Sequence, residues 1–147
     1  MTDFLVQKYG GTSLANLEGF EASARDIAQY ADDQRVIVVL SAVKGVTDLL
    51  LSAIDTAVEG GDGASYVQEV LQREGAILGD LAEKGIETPL ASEFLAQQED
   101  DLGRRIEGIR LLGQCPDEAR ARILSCGEGF SSRLMVDVLN HQDIDAQ

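Results

Sequence analysis

Phe4-Leu-Val-Gln-Lys-Tyr-Gly-Gly-Thr-Ser13 is a short, mostly apolar run that ends in a glycine pair. Such a run suits a strand entering a tight turn that exposes its backbone. Outward from it, Leu17, Phe20, Ala24, Ile27, Ala28 and Ala31 recur at helical spacing, with Asn16 or Ser13 available as the cap and Asp32-Asp33 marking the exit. Arg35-Val-Ile-Val-Val-Leu40 then places five apolar residues in a row, mostly β-branched. That pattern predicts a strand covered on both faces, as in a parallel sheet. Strand, glycine turn, helix and buried strand make a βαβ unit, so the fold class is α/β.

The spacing of Val46, Leu49, Leu50, Ala53, Ile54, Ala57 and Val58 predicts the next helix, stopped by Glu59-Gly60-Gly61. From Tyr66 to Leu112 the pattern stays helical, first through Val67, Val70, Leu71, Ile77, Leu78 and Leu81 to Gly85, then through Leu95, Leu102, Ile106 and Ile109. In that second stretch Glu99-Asp100-Asp101 precede Arg104-Arg105, which suits a solvated face with i,i+4 ion pairs. Pro116 followed by Asp117-Glu118 starts another helix, and Gly127 and Gly129 are expected to interrupt it. A last helix is expected from Phe130 through Leu134, Met135, Val138 and Leu139 to Asn140-His141. Asp143-Ile-Asp-Ala-Gln147 looks like the start of a further strand.

Composition narrows the function classes. The 147 residues carry 26 acidic and 12 basic side chains, a formal charge of -14. Nucleic acid and anionic membrane surfaces both reward Lys/Arg clusters, so neither is expected as a partner. A small anionic substrate remains open, because one lysine and a few backbone N–H groups can overrule global charge inside a cleft. Hydrophobic residues make up 44% and aromatics 5%, so an aliphatic core is expected. Met1-Thr-Asp-Phe-Leu-Val-Gln-Lys8 has no basic leader followed by an apolar stretch, and no apolar run approaches membrane-spanning length. A soluble, cytoplasmic protein is the expectation. Cys115 and Cys126, with one histidine in the chain, fit neither a zinc pattern nor a disulfide framework, so free thiols and no protein-held metal are expected.

Three segments could carry chemistry. Lys8-Tyr9-Gly10-Gly11-Thr12-Ser13 offers a cation, N–H groups unobstructed by side chains and a helix start behind them, which is what a bound phosphate wants. It is not a Walker A loop, since the lysine precedes the glycines. Ser41-Ala-Val-Lys-Gly-Val-Thr47-Asp48 lies past the second strand. Open α/β sheets bind ligands beyond the carboxyl ends of their strands, so both loops should face one crevice; helix capping is the alternative role for Ser41 and Thr47. Ser125-Cys-Gly-Glu128-Gly-Phe-Ser131 sets a lone carboxylate between glycines. Spacing alone cannot bring it to the crevice, and a first-turn dipole partner is its plain alternative.

Together Lys8-Tyr-Gly-Gly-Thr-Ser13, Val39-Leu-Ser-Ala-Val-Lys-Gly-Val-Thr-Asp48 and Gly127-Glu128, with Ser131 and Leu134 after it, resemble the N-terminal signatures of aspartate kinases in order and separation. Leu111-Leu-Gly-Gln-Cys-Pro-Asp117 further resembles the kinase part of fused aspartokinase–homoserine dehydrogenases. The resemblance implies the amino-acid kinase fold, a three-layer α/β/α sandwich around a mostly parallel sheet, of which residues 1–147 would be the helix-rich N-terminal part. It implies transfer of the γ-phosphoryl of MgATP to the side-chain carboxylate of L-aspartate, giving 4-phospho-L-aspartate on the route to lysine, threonine and methionine. Carried over by position, Lys8 would hold the transferring phosphate and act in catalysis. Tyr9, Gly10, Gly11 and Thr12 would form the rest of the nucleotide loop. Ser41 and Thr47 would contact aspartate, and Glu128 would bind its α-ammonium. The Mg2+ would be held through ATP phosphates.

Nothing here resembles the family's Gly-Arg-Gly-Gly-Ser-Asp segment, its Thr-Asp-Val-Pro-Gly segment or its effector-binding domains. The isolated chain is therefore expected to be inactive alone, with the full-length protein a homo-oligomer. Two alternatives stand beside this reading: a non-catalytic partner or regulatory module of a longer kinase, and another amino-acid kinase such as a glutamate or acetylglutamate kinase.

Overall fold

A computed structural model describes residues 4–147 apart from residue 32. Strand β1 (Phe4–Tyr9) leads to helix α1 (Leu17–Ala31) and strand β2 (Arg35–Leu40). Helices α2 (Val46–Val58), α3 (Ala64–Glu83), α4 (Pro89–Leu112) and α5 (Asp117–His141) follow. The two strands pair in parallel, with Phe4 opposite Arg35 and Lys8 opposite Val39, so the expected βαβ unit is present. Asn16 caps α1: its Oδ1 accepts the N–H of Gly19 at 3.1 Å, satisfying one of the donors a helix start leaves free. At the exit Asp33 donates its N–H to the Tyr30 carbonyl at 3.2 Å; residue 32, like residues 1–3 of the leader reading, lies outside the described residues.

The sheet departs from expectation on one face. Burial alternates along both strands. Tyr9, Val36, Val38 and Leu40 pack on the core, which α1 and α5 bring against β2. The opposite face leaves Phe4 57%, Val6 62%, Ile37 48% and Val39 44% exposed. A continuous apolar run reports that both faces are apolar, not that both are covered. Among the described residues the sheet thus has one covering layer of helices.

The helices form the body of the molecule. Helices α2, α3 and α4 pack against one another, and α5 packs along α4 and α1. Phe20, Leu50, Ile54, Leu81, Leu102 and Phe130 are sealed inside, each burial removing apolar surface worth about 1.5–3 kcal/mol. The α4 N-terminus is capped from outside itself. Thr88 makes no side-chain cap bond; instead Asp137 of α5 accepts the N–H groups of Leu90 at 3.3 Å and Ala91 at 2.9 Å.

Two boundary expectations are corrected. Gly127 and Gly129 do not interrupt a helix, since α5 runs unbroken through them. They sit where the helix passes close to its neighbours, a Cβ at Gly129 falling 2.8 Å from Phe94 Cζ. Residues 143–147 form no strand. There the Asn140 amide brackets Ala146, accepting its N–H at 3.1 Å and donating to its carbonyl at 3.3 Å, so a side chain takes the bonds a strand edge would use.

Candidate functional site

The three segments singled out by sequence meet beyond the carboxyl ends of the two strands. The N–H of Ser41 donates to the Tyr9 carbonyl at 3.0 Å, extending the strand pairing into both loops. A Cβ at Gly11 would stand 3.2 Å from the Ala42 carbonyl oxygen and 3.5 Å from Lys44 Cα, so the glycine turn and the Ser41–Thr47 segment lie against each other. Helix α5 closes on the same point. A Cβ at Gly127 would be 2.5 Å from Ala42 Cβ and 3.0 Å from Val46 Cγ1, so the turn of α5 that carries Glu128 lies against the Ser41–Thr47 segment, which linear spacing could not foresee.

Lys8 is exposed near the end of β1, in register with the exposed Phe4 and Val6, and Thr12 is exposed in the turn after it. Gly10 faces open space, with nothing within 4 Å of where a side chain would begin, so its backbone can be approached. The Gly10 carbonyl accepts the Ser13 N–H at 3.0 Å, which tightens the turn. The Tyr9 side chain points elsewhere. Its hydroxyl donates to Asp26 of α1 at 2.6 Å, and burial, then that bond and the Asp26 charge, hold the phenol above its ordinary pKa. Any nucleotide contact by Tyr9 would therefore come from its backbone.

Ser41 and Thr47 are half-buried and neither caps α2. The N-cap is Gly45, at φ 83°, without a side-chain bond; that left-handed backbone suits glycine because it has no Cβ. The two hydroxyls and the uncapped first turn of α2 remain available to a ligand, and the partial positive charge of a helix start favours an anionic one. Glu128 is no first-turn dipole partner, since it lies in the middle of α5. One of its carboxylate oxygens, Oε2, is sealed from solvent without a hydrogen-bond partner. An orphaned buried acceptor is costly, and any cationic donor reaching it would relieve that cost.

Sequence reading missed Glu74. It is 3% exposed, its Oε1 has no partner, and burial pushes its pKa up to about 8. The signal was present: position 74 falls within the stripe of Val67, Val70, Ile77 and Leu81 that α3 buries, so a carboxyl occupies a core position. Ser131 Oγ and Gln7 Oε1 are also buried without partners. Cys126 is quiet; its thiol donates to Gln98 Oε1 at 2.8 Å, and burial first, then the Asp101 charge, raise its pKa to about 11. The expected ion pairs form, Arg104–Asp100 at 3.1 Å and Arg105–Asp101 at 2.6 Å.

A cation next to an open glycine turn and two hydroxyls at a helix start are groups suited to an anion, and an unpartnered carboxylate is suited to an ammonium. The open approach to Gly10 and the exposed Lys8 fit the phosphates of a nucleotide. Among the described residues no group of three or more His, Cys, Asp or Glu could hold a metal ion, and no helix is long and apolar enough to cross a membrane.

Comparison with known proteins gives a consistent picture. Residues 3–147 match the model of the amino acid kinase family. The chain is 31% identical over 143 residues to a bifunctional aspartokinase/homoserine dehydrogenase of Buchnera aphidicola, covering 92% of this chain and 17% of that protein. It is 28% identical over 152 residues to lysine-sensitive aspartokinase 3 of Escherichia coli, covering 100% of this chain and 31% of that one. The structure superposes on Escherichia coli aspartokinase III, crystallised with aspartate and ADP in the R-state, with a TM-score of 0.80 at 26% identity; the match covers 99% of this chain and 30% of that chain. The chain thus spans less than a third of the length of these relatives.

Proposed function

We propose, from the premise that this chain belongs to the amino acid kinase family, that it carries the phosphate loop and amino-acid clamp of an aspartate kinase. The reaction is transfer of the γ-phosphoryl of MgATP to the side-chain carboxylate of L-aspartate, the entry to lysine, threonine and methionine synthesis. The observation that supports this reading is the contact of Gly127 with Ala42, which brings the turn of α5 that carries Glu128, with its unpartnered Oε2, against the Ser41–Thr47 segment.

MgATP supplies the phosphoryl group and its own metal. Lys8 offsets the charge that develops on the transferring phosphate, and the Gly10–Gly11 turn, with Tyr9 and Thr12 beside it, lends backbone donors. Ser41 and Thr47 contact aspartate while Glu128 takes its α-ammonium, so the acceptor carboxylate is turned toward the phosphate. Phosphoryl transfer depends chiefly on such positioning and charge stabilisation; no protein nucleophile is required. The three-layer sandwich belongs to the same proposal, since the apolar face of Phe4, Val6, Ile37 and Val39 is what a third layer would cover. A cytoplasmic homo-oligomer is the setting proposed for the full-length protein.

The test is ADP release by the full-length protein with aspartate, glutamate and N-acetylglutamate as acceptors. Aspartate-dependent release supports the proposal; release with another acceptor, or with none of the three, overturns it.

A further inference from the structure

The Ser41–Thr47 segment is held from a direction that its own sequence does not announce. Arg73 of α3 donates from Nη1 to the Lys44 carbonyl at 3.2 Å, while its Nη2 is tied to Glu69, one turn earlier on α3, at 2.6 Å. A Cβ at Gly45 would stand 2.5 Å from Arg73 Nη1, so the guanidinium fills the space that glycine leaves. Gly45 is also the residue at positive φ that turns the loop into α2, without a side-chain cap. Backbone bonds also tie the segment: Ser41 N–H to the Tyr9 carbonyl and Val46 N–H to the Val43 carbonyl, each at 3.0 Å, and Leu49 N–H to the Gly45 carbonyl at 3.2 Å.

We infer that Arg73 is a positioning residue: by clamping the Lys44–Gly45 peptide it sets where the Ser41 and Thr47 hydroxyls stand for the amino-acid substrate. The inference rests on the proposed contact of those hydroxyls with aspartate. Arginine suits the task because its planar fork can hold Glu69 with one nitrogen and a carbonyl with the other, whereas a lysine is a single point donor. The side chains of Arg73 and Glu69 are 43% and 46% exposed, and exposed pairs add little to global stability. Loss of the clamp should therefore be read in the loop and in substrate handling, not in melting.

The experiment compares wild type, Arg73→Ala and Arg73→Lys in the full-length protein. Arg73→Ala should raise the KM for aspartate about 10-fold, with kcat within about 2-fold and the ATP KM unchanged, because a displaced binding loop weakens ground-state capture. Arg73→Lys should recover part of the loss. Amide hydrogen exchange should quicken at residues 44–48 and stay unchanged in α4 and α5. Unchanged exchange at 44–48, or an unchanged aspartate KM, overturns the inference while wild-type turnover leaves the kinase reading standing. Wild type that does not phosphorylate aspartate overturns the reading itself and, with it, the substrate role of Arg73.

Discussion

The carboxylate of Asp137, near the end of α5, accepts the N–H of Ala91, in the first turn of α4, at 2.9 Å. Its other oxygen accepts the N–H of Leu90 at 3.3 Å. A helix start leaves N–H groups without intrahelical partners, and here a different helix satisfies two of them. Asp137 is 5% exposed; burial raises its pKa, while the two backbone donors act the other way. Asp137→Ala should cost about 1–3 kcal/mol, the range for leaving buried donors unpaired, and Asp137→Asn should cost less because an acceptor remains. Urea denaturation measures both, and a midpoint unmoved in Asp137→Ala would show the cap to be dispensable.

Glu74 makes stability depend on pH. Its folded pKa, about 8, lies above the value of about 4.3 for a free glutamate, so between these values the native state binds more protons than the unfolded one. Stability is then fully present below about pH 4 on this account and is lost as pH rises toward 8. Glu74→Gln, which cannot ionise, should flatten that slope. Unfolding free energies measured from pH 5 to 8 decide it, and identical slopes in the two proteins would contradict the burial-driven shift.

Gly127→Ala places a methyl group 2.5 Å from Ala42 Cβ. The helix interior gains about 1 kcal/mol of propensity, but overpacking typically costs about 1–3 kcal/mol, and Ala42 belongs to the loop that leads from Ser41. The expected result is a net loss of stability together with weaker aspartate binding. A variant that is more stable and binds normally would show that α5 can step back without disturbing the loop.

Lys8→Ala in the full-length protein should lower turnover by about 10²-fold or more, the scale for removing one preorganised electrostatic group. Glu128→Ala should instead raise mainly the aspartate KM. Near-wild-type turnover would take Lys8 out of the mechanism, and a change confined to the ATP KM would reassign Glu128. Separate kinetic titrations of aspartate and ATP distinguish these outcomes.

Much of this was legible in the linear pattern, because local rules act over a few residues. The apolar periodicities that marked Leu17–Ala31 and Val46–Val58 correspond to α1 and α2, and the run from Arg35 to Leu40 is a parallel strand. The misreadings have two causes. Gly127 and Gly129 looked like breaks because glycine disfavours helix in isolation, yet Ala42 and Phe94 press on those positions from other elements. Residues 143–147 looked like the start of a strand, but Asn140 claims the Ala146 backbone.

The sequence by itself determined the βαβ start, the helix periods, the acidic surface and the three motifs with their family likeness, since each is written in neighbouring residues. Only the tertiary structure decided that the turn of α5 carrying Glu128 lies against the Ser41–Thr47 segment, that Glu74 is buried without a partner, that Asp137 caps a helix to which it does not belong, and that one face of the sheet stays open. Those facts depend on which surfaces meet. Packing distances between elements far apart in the chain are set by how all the helices fit together, a quantity that no local spacing contains.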